Sequence, residues 1–289
     1  MGRKDLYTLF FLSPFFFFFI MFLIVPIAYS LAISFTNMSG LHPYTDFIGL
    51  HNYLKTLQNP LFLTSLRNVA MILFIQVPVM TLIALALALL LNSELVKGRN
   101  IFRPIIYLPL CTSTVVASLM WNFMYGKDYG LINTLLSNVG LPKVDWVTDS
   151  RVALYSIMNV ITWRWIGWNM VLFLAGLAAI PQEIYDSAKL DAGRFQTVRY
   201  ITLPLLKPMM VVSIILSING SLQTFTEPLM LTGGGPGYST QTLIMSVWRF
   251  AWGMFSYGYA AAASWIVGLI VFFAAIIYIR YVAKGWSWR

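Results

Sequence analysis

No charged side chain occurs between Leu6 and Ser34. An α-helix rises about 1.5 Å per residue, so about 20 apolar residues are enough to cross the hydrocarbon core of a bilayer. This stretch exceeds that length, and it also exceeds the apolar region of a cleaved signal peptide, which is about 7–15 residues long. We therefore predict an uncleaved first membrane span, with Pro14 and Pro26 as kinks.

Five further apolar stretches of comparable length follow. The composition agrees with them, because 59% of the residues are hydrophobic and only 10% are charged. A soluble domain carries about 25% charged residues, and so few charges cannot cover a surface that faces water. We predict an all-α integral membrane protein with six transmembrane helices in a single transmembrane domain, residues 1–289. The predicted spans are residues 6–34, 69–91, 104–125, 152–180, 204–231 and 259–279.

The basic residues predict how these spans are oriented. Lysine and arginine are enriched in the cytoplasmic segments of membrane proteins. With the N-terminus in the cytoplasm, twelve of the nineteen basic residues fall on that side, which favours a cytoplasmic position for both termini. The twelve residues are Arg3, Lys4, Lys97, Arg99, Arg103, Lys189, Arg194, Arg199, Lys207, Arg280, Lys284 and Arg289.

Residues that usually carry metal or catalytic chemistry are sparse. The single cysteine, Cys111, lies inside an apolar stretch, and His42 and His51 have no carboxylate arrangement around them. The chain contains no G-x-x-x-x-G-K-[ST] pattern, and the glycine-rich stretch 233–237 has neither the preceding strand nor the following Lys-Ser/Thr of a phosphate loop. We therefore predict no metal site, no catalytic residue and no cofactor bound by this chain, and we interpret residues 233–237 as a tight turn.

Residues 181–203 separate the fourth and fifth spans and carry many charges. Pro181 suits the first turn of a helix, where its missing N–H costs nothing. Glu183 and Asp186 then lie near the positive end of the helix, and Gly193 can terminate it. The pattern predicts a short helix outside the bilayer whose exposed apolar side chains need a partner.

This segment resembles the E-A-A loop of binding-protein-dependent ABC importers, whose pattern is E-A-A, three residues, G, nine residues and I-x-L-P. Asp186-Ser187-Ala188 stands at E-A-A, and Ile201-Thr-Leu-Pro204 stands at I-x-L-P. Ala192 occupies the glycine position, Gly193 follows it, and the second gap is one residue shorter than in the pattern.

Other motifs extend the resemblance over nearly the whole chain, to carbohydrate permeases and in particular to the maltose-type first permease subunit. Each motif is weak alone, and together they are specific. They are Ser13-Pro14, Pro26-x-x-Tyr29-Ser30, Ser34-Phe35-Thr36, Gly49-Leu-x-Asn-Tyr53, Arg103-x-x-x-Tyr107-Leu-Pro109, Gly130-Leu-Ile-Asn133 and Leu231-Thr-Gly-Gly-Gly-Pro236.

The resemblance implies a type I ABC importer permease fold and a non-catalytic subunit in the cytoplasmic membrane of a bacterium or archaeon. It implies four kinds of partner: membrane lipid, a second homologous permease in a heterodimer, two ATPase subunits that bind ATP and magnesium, and an extracellular or periplasmic solute-binding protein. The ATPases would dock on residues 181–203. The residues implied in this coupling are Glu183, Tyr185, Asp186, Ser187, Ala188, Asp191 and Gly193.

Polar residues at membrane depth are candidates for the solute path, because burial in lipid is costly. A spacing of four residues predicts that the polar residues at 219, 223 and 227 form one stripe of a continuous fifth helix. Amides and carboxylates can bind sugar hydroxyls, and indole rings can stack on the C–H faces of sugars. The residues that we predict to line the path are Asn219, Gln223, Glu227, Trp163, Trp168 and Asn169.

A structural interpretation competes with this one. Arg164, near the middle of the fourth span, is expected to be structural or gating rather than a ligand of the solute, and it could form a buried pair with Glu227. The amides could bind neighbouring helices, and the tryptophans could mark a membrane interface.

Alternating-access import of a carbohydrate, driven by partner ATPases, is the function that we predict. The same scaffold could import glycerol phosphate or another polar solute, although an anionic solute predicts more basic residues in its path than Arg164 alone. A secondary transporter would usually show internal repeats, and the two halves show none. A membrane-embedded enzyme needs a cluster of His, Asp or Glu at membrane depth, where the charged residues are Arg164 and Glu227.

Overall fold

The structure is a computed structural model that describes residues 3–41, 45–93, 96–191, 193–278 and 280, apart from the side chains of residues 3–9, 189–191 and 278. In this part of the chain, extended pairing is limited to an isolated bridge between Thr36 and Phe47. The helices are α1 (Arg3–Phe19, Ile20–Ile24 and Val25–Ser34), α2 (His51–Gln58), α3 (Pro60–Met71, Ile72–Gln76 and Val77–Asn92), α4 (Arg99–Cys111), α5 (Thr114–Met124), α6 (Leu131–Asn138), α7 (Ala153–Ala178), α8 (Gln182–Asp191), α9 (Arg194–Thr197, Val198–Thr202 and Leu203–Leu222), α10 (Thr226–Thr232), α11 (Leu243–Trp248 and Arg249–Gly253) and α12 (Tyr257–Tyr278).

The predicted all-α membrane fold is confirmed. Among the described residues, five helices are long and apolar enough to cross a membrane, or six if the bent pair α4 and α5 forms one span. The last residue of the predicted sixth span, residue 279, lies outside the described residues. The five helices are Phe10–Ser34, Pro60–Asn92, Ala153–Ala178, Arg194–Leu222 and Tyr257–Ile277.

Prolines widen the long helices without ending them. A π-helical turn ends two residues before a proline in α1, α3 and α9, because proline has no N–H and its ring clashes with the carbonyl four residues earlier. Pro14, by contrast, lies inside the α-helical part of α1. The three turns are Ile20–Ile24 before Pro26, Ile72–Gln76 before Pro78, and Val198–Thr202 before Pro204.

The predicted third span, residues 104–125, is broken. The helices α4 and α5 meet at an angle of 101°, and Thr112 and Ser113 between them have extended ψ angles of 145° and 138°. Hydroxyl side chains compete with helical hydrogen bonding, and Thr112 Oγ1 donates to the carbonyl of Pro109 at 2.7 Å. The carbonyl of Thr112 is left without a helical partner, and this carbonyl becomes part of the site described below.

The chain forms two units by its internal contacts: residues 63–245 with 270–289, and residues 1–62 with 246–269. In the first unit, α7 packs against α3, α4 and α9. A Cβ at Gly167 would lie 2.3 Å from the carbonyl oxygen of Ile106, so α7 and α4 approach each other at a distance that only glycine allows. The core of this unit contains Ala84, Leu85, Ala88, Leu91, Met170, Phe173, Leu177 and Leu206. That the whole chain is a single domain stays a prediction.

Asn133 closes a compact segment in the same unit. Its buried side-chain oxygen accepts hydrogen bonds from the N–H of Val144 and from Trp146 Nε1, both at 3.0 Å, and its nitrogen donates to the carbonyl of Lys127. A hydrogen bond from Lys127 to Asp145 at 2.8 Å raises the pKa of the lysine ammonium. The asparagine of the Gly130-Leu-Ile-Asn133 motif is therefore structural.

In the second unit, the motif that ends in Asn52 and Tyr53 caps α1. Asn52 Nδ2 donates to the carbonyls of Ser34 and Thr36 at 3.0 and 2.7 Å, and the Tyr53 hydroxyl is 2.7 Å from Ser34 Oγ. The last carbonyls of a helix lack partners within the helix, so these side chains satisfy groups that would otherwise be unpaired.

Candidate functional site

A cavity of about 290 Å³ lies within the unit formed by residues 63–245 with 270–289. Its wall comes from α3, α5, α7, α9, α10 and residues 223–225. The central helix α7 contributes one face, because the contributing residues are three or four positions apart and therefore lie on the same side of the helix. These residues are Ile161, Arg164, Trp165, Trp168 and Asn169.

A buried ion pair forms part of the cavity wall. Arg164 Nη1 donates to Glu227 Oε1 at 3.1 Å, and the two residues are only 6% and 7% exposed. Arg164 Nη2 donates to the carbonyl of Thr112 at 3.2 Å, which is the carbonyl released by the break between α4 and α5. The structural alternative predicted for Arg164 and Glu227, a buried pair, is confirmed.

The prediction of one continuous polar stripe in the fifth helix is wrong. The helix α9 ends at Leu222, and Glu227 belongs to the first turn of α10. The cause is Pro228, which cannot donate to the carbonyl of Thr224 and whose ring clashes with that carbonyl. Thr242 Oγ1 donates to this carbonyl instead, at 2.7 Å, so the carbonyl of Thr224 is paired despite the helix break.

Four of the six residues predicted to line the path are in the cavity wall. They are Gln223, Glu227, Trp168 and Asn169. Asn219 is connected to the wall indirectly, because its side-chain oxygen accepts a hydrogen bond from Gln223 Nε2 at 2.8 Å. The ring of Trp163 packs edge to face against Trp121 with centroids 5.6 Å apart, and Trp163 is absent from the wall in the described part of the chain. That these residues act on a solute stays a prediction.

Several residues of the cavity wall were not among those predicted from the sequence to line the path. Trp165 lines the cavity, and its position three residues before Trp168 was the signal that could have found it. Gln76 and Met80 lie four residues apart on one face of α3, and they enter the same cavity. Ser217 of α9 adds a hydroxyl.

Hydrogen bonds from neighbouring helices orient the amides. Asn169 Nδ2 donates to the carbonyl of Trp165 at 3.1 Å, and Asn169 Oδ1 accepts from Ser213 Oγ. Gln76 Nε2 is 3.3 Å from Thr162 Oγ1. These bonds connect α3, α7 and α9 beside the cavity, so the amide positions are set by the packing of three helices.

Two buried polar atoms of wall residues have no hydrogen-bond partner in the described part of the chain. One is Arg164 Nε, a donor, and the other is Gln76 Oε1, an acceptor. An unpaired buried donor or acceptor costs about 1–3 kcal/mol, and such groups in native structures usually serve a ligand, water or strain. Both atoms belong to residues of the cavity wall, which makes them candidates for a contact with a polar ligand or with water.

The segment 181–203 contains the predicted short helix, α8. Glu183, Asp186 and Ser187 are exposed, and Tyr185 is half-buried. Ala188 is buried at 8% exposure, so it can assist docking only by letting neighbouring groups pack closely. The side chain of Asp191 and the whole of Ala192 lie outside the described residues.

The predicted role of Gly193 as the end of this helix is wrong. Gly193 begins the first turn of α9, where its N–H donates a hydrogen bond to the side-chain oxygen of Gln196 at 3.0 Å. Its φ of −71° is an ordinary value and not the left-handed conformation of a helix-ending glycine. Phe195 in the same turn is 75% exposed, and it is not among the residues predicted to contact an ATPase.

Long apolar helices around a small cavity that carries polar side chains in its wall, with a charged helix between two spans, are the organisation of a multi-pass membrane permease. The chain belongs to the family of binding-protein-dependent transport system inner membrane components, whose model matches residues 82–285. The resemblance noted in the sequence is thereby confirmed, and the protein is a transport subunit of a cell membrane.

Similar curated proteins cover nearly the full chain. A probable ABC transporter permease of Pyrococcus horikoshii is 34% identical over 96% of this chain and 96% of its own length. The trehalose/maltose transport system permease of Thermococcus litoralis is 33% identical over 90% of this chain and 88% of its own length.

Solved structures show the same fold. A bacterial alginate ABC transporter, in complex with a periplasmic protein that holds an alginate pentasaccharide, matches with a TM-score of 0.87 over 99% of this chain and 96% of that chain. The sequence identity is 21%, so this likeness concerns the fold alone.

Proposed function

We propose that this chain is one permease subunit of an ATP-driven ABC importer that carries a sugar or oligosaccharide across the cytoplasmic membrane by alternating access. The observation that carries the proposal is the cavity wall, which combines two indole rings with amides and hydroxyls. Sugars have the matching surface, since their C–H faces stack on aromatic rings and their hydroxyls both donate and accept hydrogen bonds.

Trp165 and Trp168 are the aromatic residues proposed to contact the solute. Each is 39% exposed, and both line the cavity. Asn169, oriented by its bonds to α7 and α9, supplies an amide beside them. The trehalose/maltose permease named above agrees with a carbohydrate cargo for this chain.

The partners proposed are a second homologous permease, two ATPase subunits and a solute-binding protein outside the cell. ATP and magnesium would bind to the ATPases, because this sequence has no phosphate loop. The exposed face of α8 that carries Glu183 and Asp186 is the proposed contact with an ATPase, with both termini of the chain in the cytoplasm.

Movement of α8 would be transmitted directly to the cavity. The helix α8 ends at Asp191 and α9 begins at Arg194, and α9 contributes Ser217 and Gly220 to the wall. A rigid helix that is tilted by a closing partner can reorient the span to which it is connected. The two broken spans then supply points at which the wall can open on one side or the other.

The test is uptake by the complete importer in proteoliposomes, with radiolabelled maltose, trehalose and lactose as probes. Trp168→Ala should lower the ATP-dependent uptake rate by roughly two- to tenfold, the equivalent of about 0.5–1.5 kcal/mol for one aromatic contact. Trp252→Ala is the matched control, because Trp252 is 61% exposed and is not part of the wall as described. Normal uptake by Trp168→Ala would remove this residue from the path, and no uptake of any carbohydrate by the intact importer would refute the proposed function.

A further inference from the structure

The charges in the cavity wall compensate each other. Among the described wall residues, Arg164 and Glu227 carry charge, and the others offer amides, hydroxyls, indoles or apolar groups. The two charges are joined at 3.1 Å and are buried together. A solute in the cavity therefore meets a wall whose net charge is zero.

The guanidinium is already engaged by acceptors of the protein. Arginine holds a carboxylate or phosphate best through two parallel N–H bonds. Here Nη1 donates to Glu227 and Nη2 to the carbonyl of Thr112. An anionic group that approached the remaining nitrogen, Nε, would lose its hydration while standing close to the carboxylate of Glu227, and both effects oppose its binding.

The two unpartnered atoms favour a hydroxyl group instead. Arg164 Nε can only donate, and Gln76 Oε1 can only accept. Hydroxyl groups can accept from the first atom and donate to the second, whereas a carboxylate could satisfy only the donor. A solute with many hydroxyls can therefore pair with both atoms, whereas an anionic group can pair only with Arg164 Nε.

We infer that this cavity selects uncharged, hydroxyl-rich solutes, and that Glu227 is a specificity-determining residue because it neutralises Arg164 and thereby excludes acidic sugars. The inference rests on the proposed function of the cavity as a carbohydrate path. It adds a chemical class of sugar and a residue that sets it.

The experiment measures equilibrium binding to the complete importer in nanodiscs, with the solute-binding protein left out so that its own selectivity does not enter. The probes are matched pairs of tritiated disaccharides that differ by one carboxylate: maltose with maltobionate, and lactose with lactobionate. The variants are Glu227→Gln, which leaves the positive charge of Arg164 unopposed, and Gln223→Lys, which adds a positive charge without breaking the buried pair. Asp128→Asn removes a carboxylate that is 81% exposed and outside the wall, and it serves as the charge control.

The intact importer should bind the neutral member of a pair at least about tenfold more tightly than the acidic one. Both cavity variants should reduce this preference at least about tenfold, and Asp128→Asn should leave it unchanged. If Glu227→Gln does not assemble, Gln223→Lys decides alone, since Gln223 is exposed and breaks no ion pair.

The experiment distinguishes failure of this inference from failure of the proposed function. A neutral preference that persists in both cavity variants overturns the role of Glu227 and leaves the carbohydrate function standing. Tighter binding of the acidic sugars by the intact importer also overturns the inference alone. Absence of binding for all four sugars counts against the proposed function itself.

Discussion

Arg164 connects the two chain breaks that border the cavity. Its guanidinium satisfies the carbonyl of Thr112 at the first break and pairs with Glu227 directly after the second. Non-helical backbone at membrane depth is tolerated only where protein or water satisfies its polar groups. One side chain therefore makes a bent span possible and also fixes the first turn of α10, which explains why a costly charge is retained in the middle of α7.

Removing one member of this pair should destabilise the protein more than removing both. Arg164→Met or Glu227→Met leaves a buried charge unpaired, at a cost of about 3–5 kcal/mol. The double variant Arg164→Met/Glu227→Met should recover part of that loss, because it leaves no buried charge unpaired, although the carbonyl of Thr112 still loses its hydrogen bond from Arg164. Thermal unfolding of the detergent-purified importer measures this, and a double variant no more stable than the single ones would contradict it.

At the scale of the helices, the contact between α7 and α4 depends on Gly167. A Cβ there would stand 2.3 Å from the carbonyl oxygen of Ile106 and 2.7 Å from the Cα of Tyr107. These are backbone atoms, which cannot rotate out of the way as the end of a side chain can. The close approach also brings the break after α4 next to Arg164.

Gly167→Ala should therefore lower stability by about 1–3 kcal/mol, the range typical of overpacked interiors. The control is Gly268→Ala in α12, where a Cβ would meet nothing within 4 Å and the helix should be stabilised slightly. Unfolding midpoints of the two variants in the same detergent give the comparison. Equal midpoints for both variants would show that the contact between α7 and α4 accommodates the added methyl group without loss of stability.

The helix α8 carries an element-scale prediction of its own. Asp186→Lys reverses an exposed charge on the face proposed to contact an ATPase, so co-purification of the ATPases with the membrane subunits should fall several-fold. Asp128→Lys makes the same chemical change in the segment between α5 and α6, which is predicted to lie on the other side of the membrane. If the ATPases are lost from both variants, or from neither, the proposed contact between α8 and an ATPase is contradicted.

Over the whole molecule, the spans could be predicted from the sequence, and the contacts that stabilise their breaks could not. Uncharged apolar stretches identify membrane helices by composition alone, and this signal is strong from residue 6 onward. The break at Thr112 is stabilised by Arg164, and the carbonyl freed at Thr224 is satisfied by Thr242, so each depends on a residue distant in sequence.

The side of α7 that faces the cavity was also difficult to predict from the sequence. A helix that is apolar on all sides has no amphipathic pattern from which its cavity-facing side can be read. Trp163 packs on Trp121 and Trp165 lines the cavity, and the spacing of three residues between Trp165 and Trp168 is the sequence signal that separates them. Pro228 was a readable signal for the end of the polar stripe, because it removes the helical bond to Thr224.

The whole-molecule prediction concerns the source of energy. Concentrative uptake needs a coupled reaction, and this chain contains no phosphate loop to supply one. Reconstituted alone in vesicles, it should take up no labelled maltose, trehalose or lactose, with or without ATP. The complete importer should accumulate the transported sugar only with ATP, and a hydrolysis-deficient ATPase variant should abolish that accumulation while sparing assembly. Uptake by the isolated chain would mean that its helices form a complete transport path without partners, and alternating access driven through α8 would then have to be abandoned.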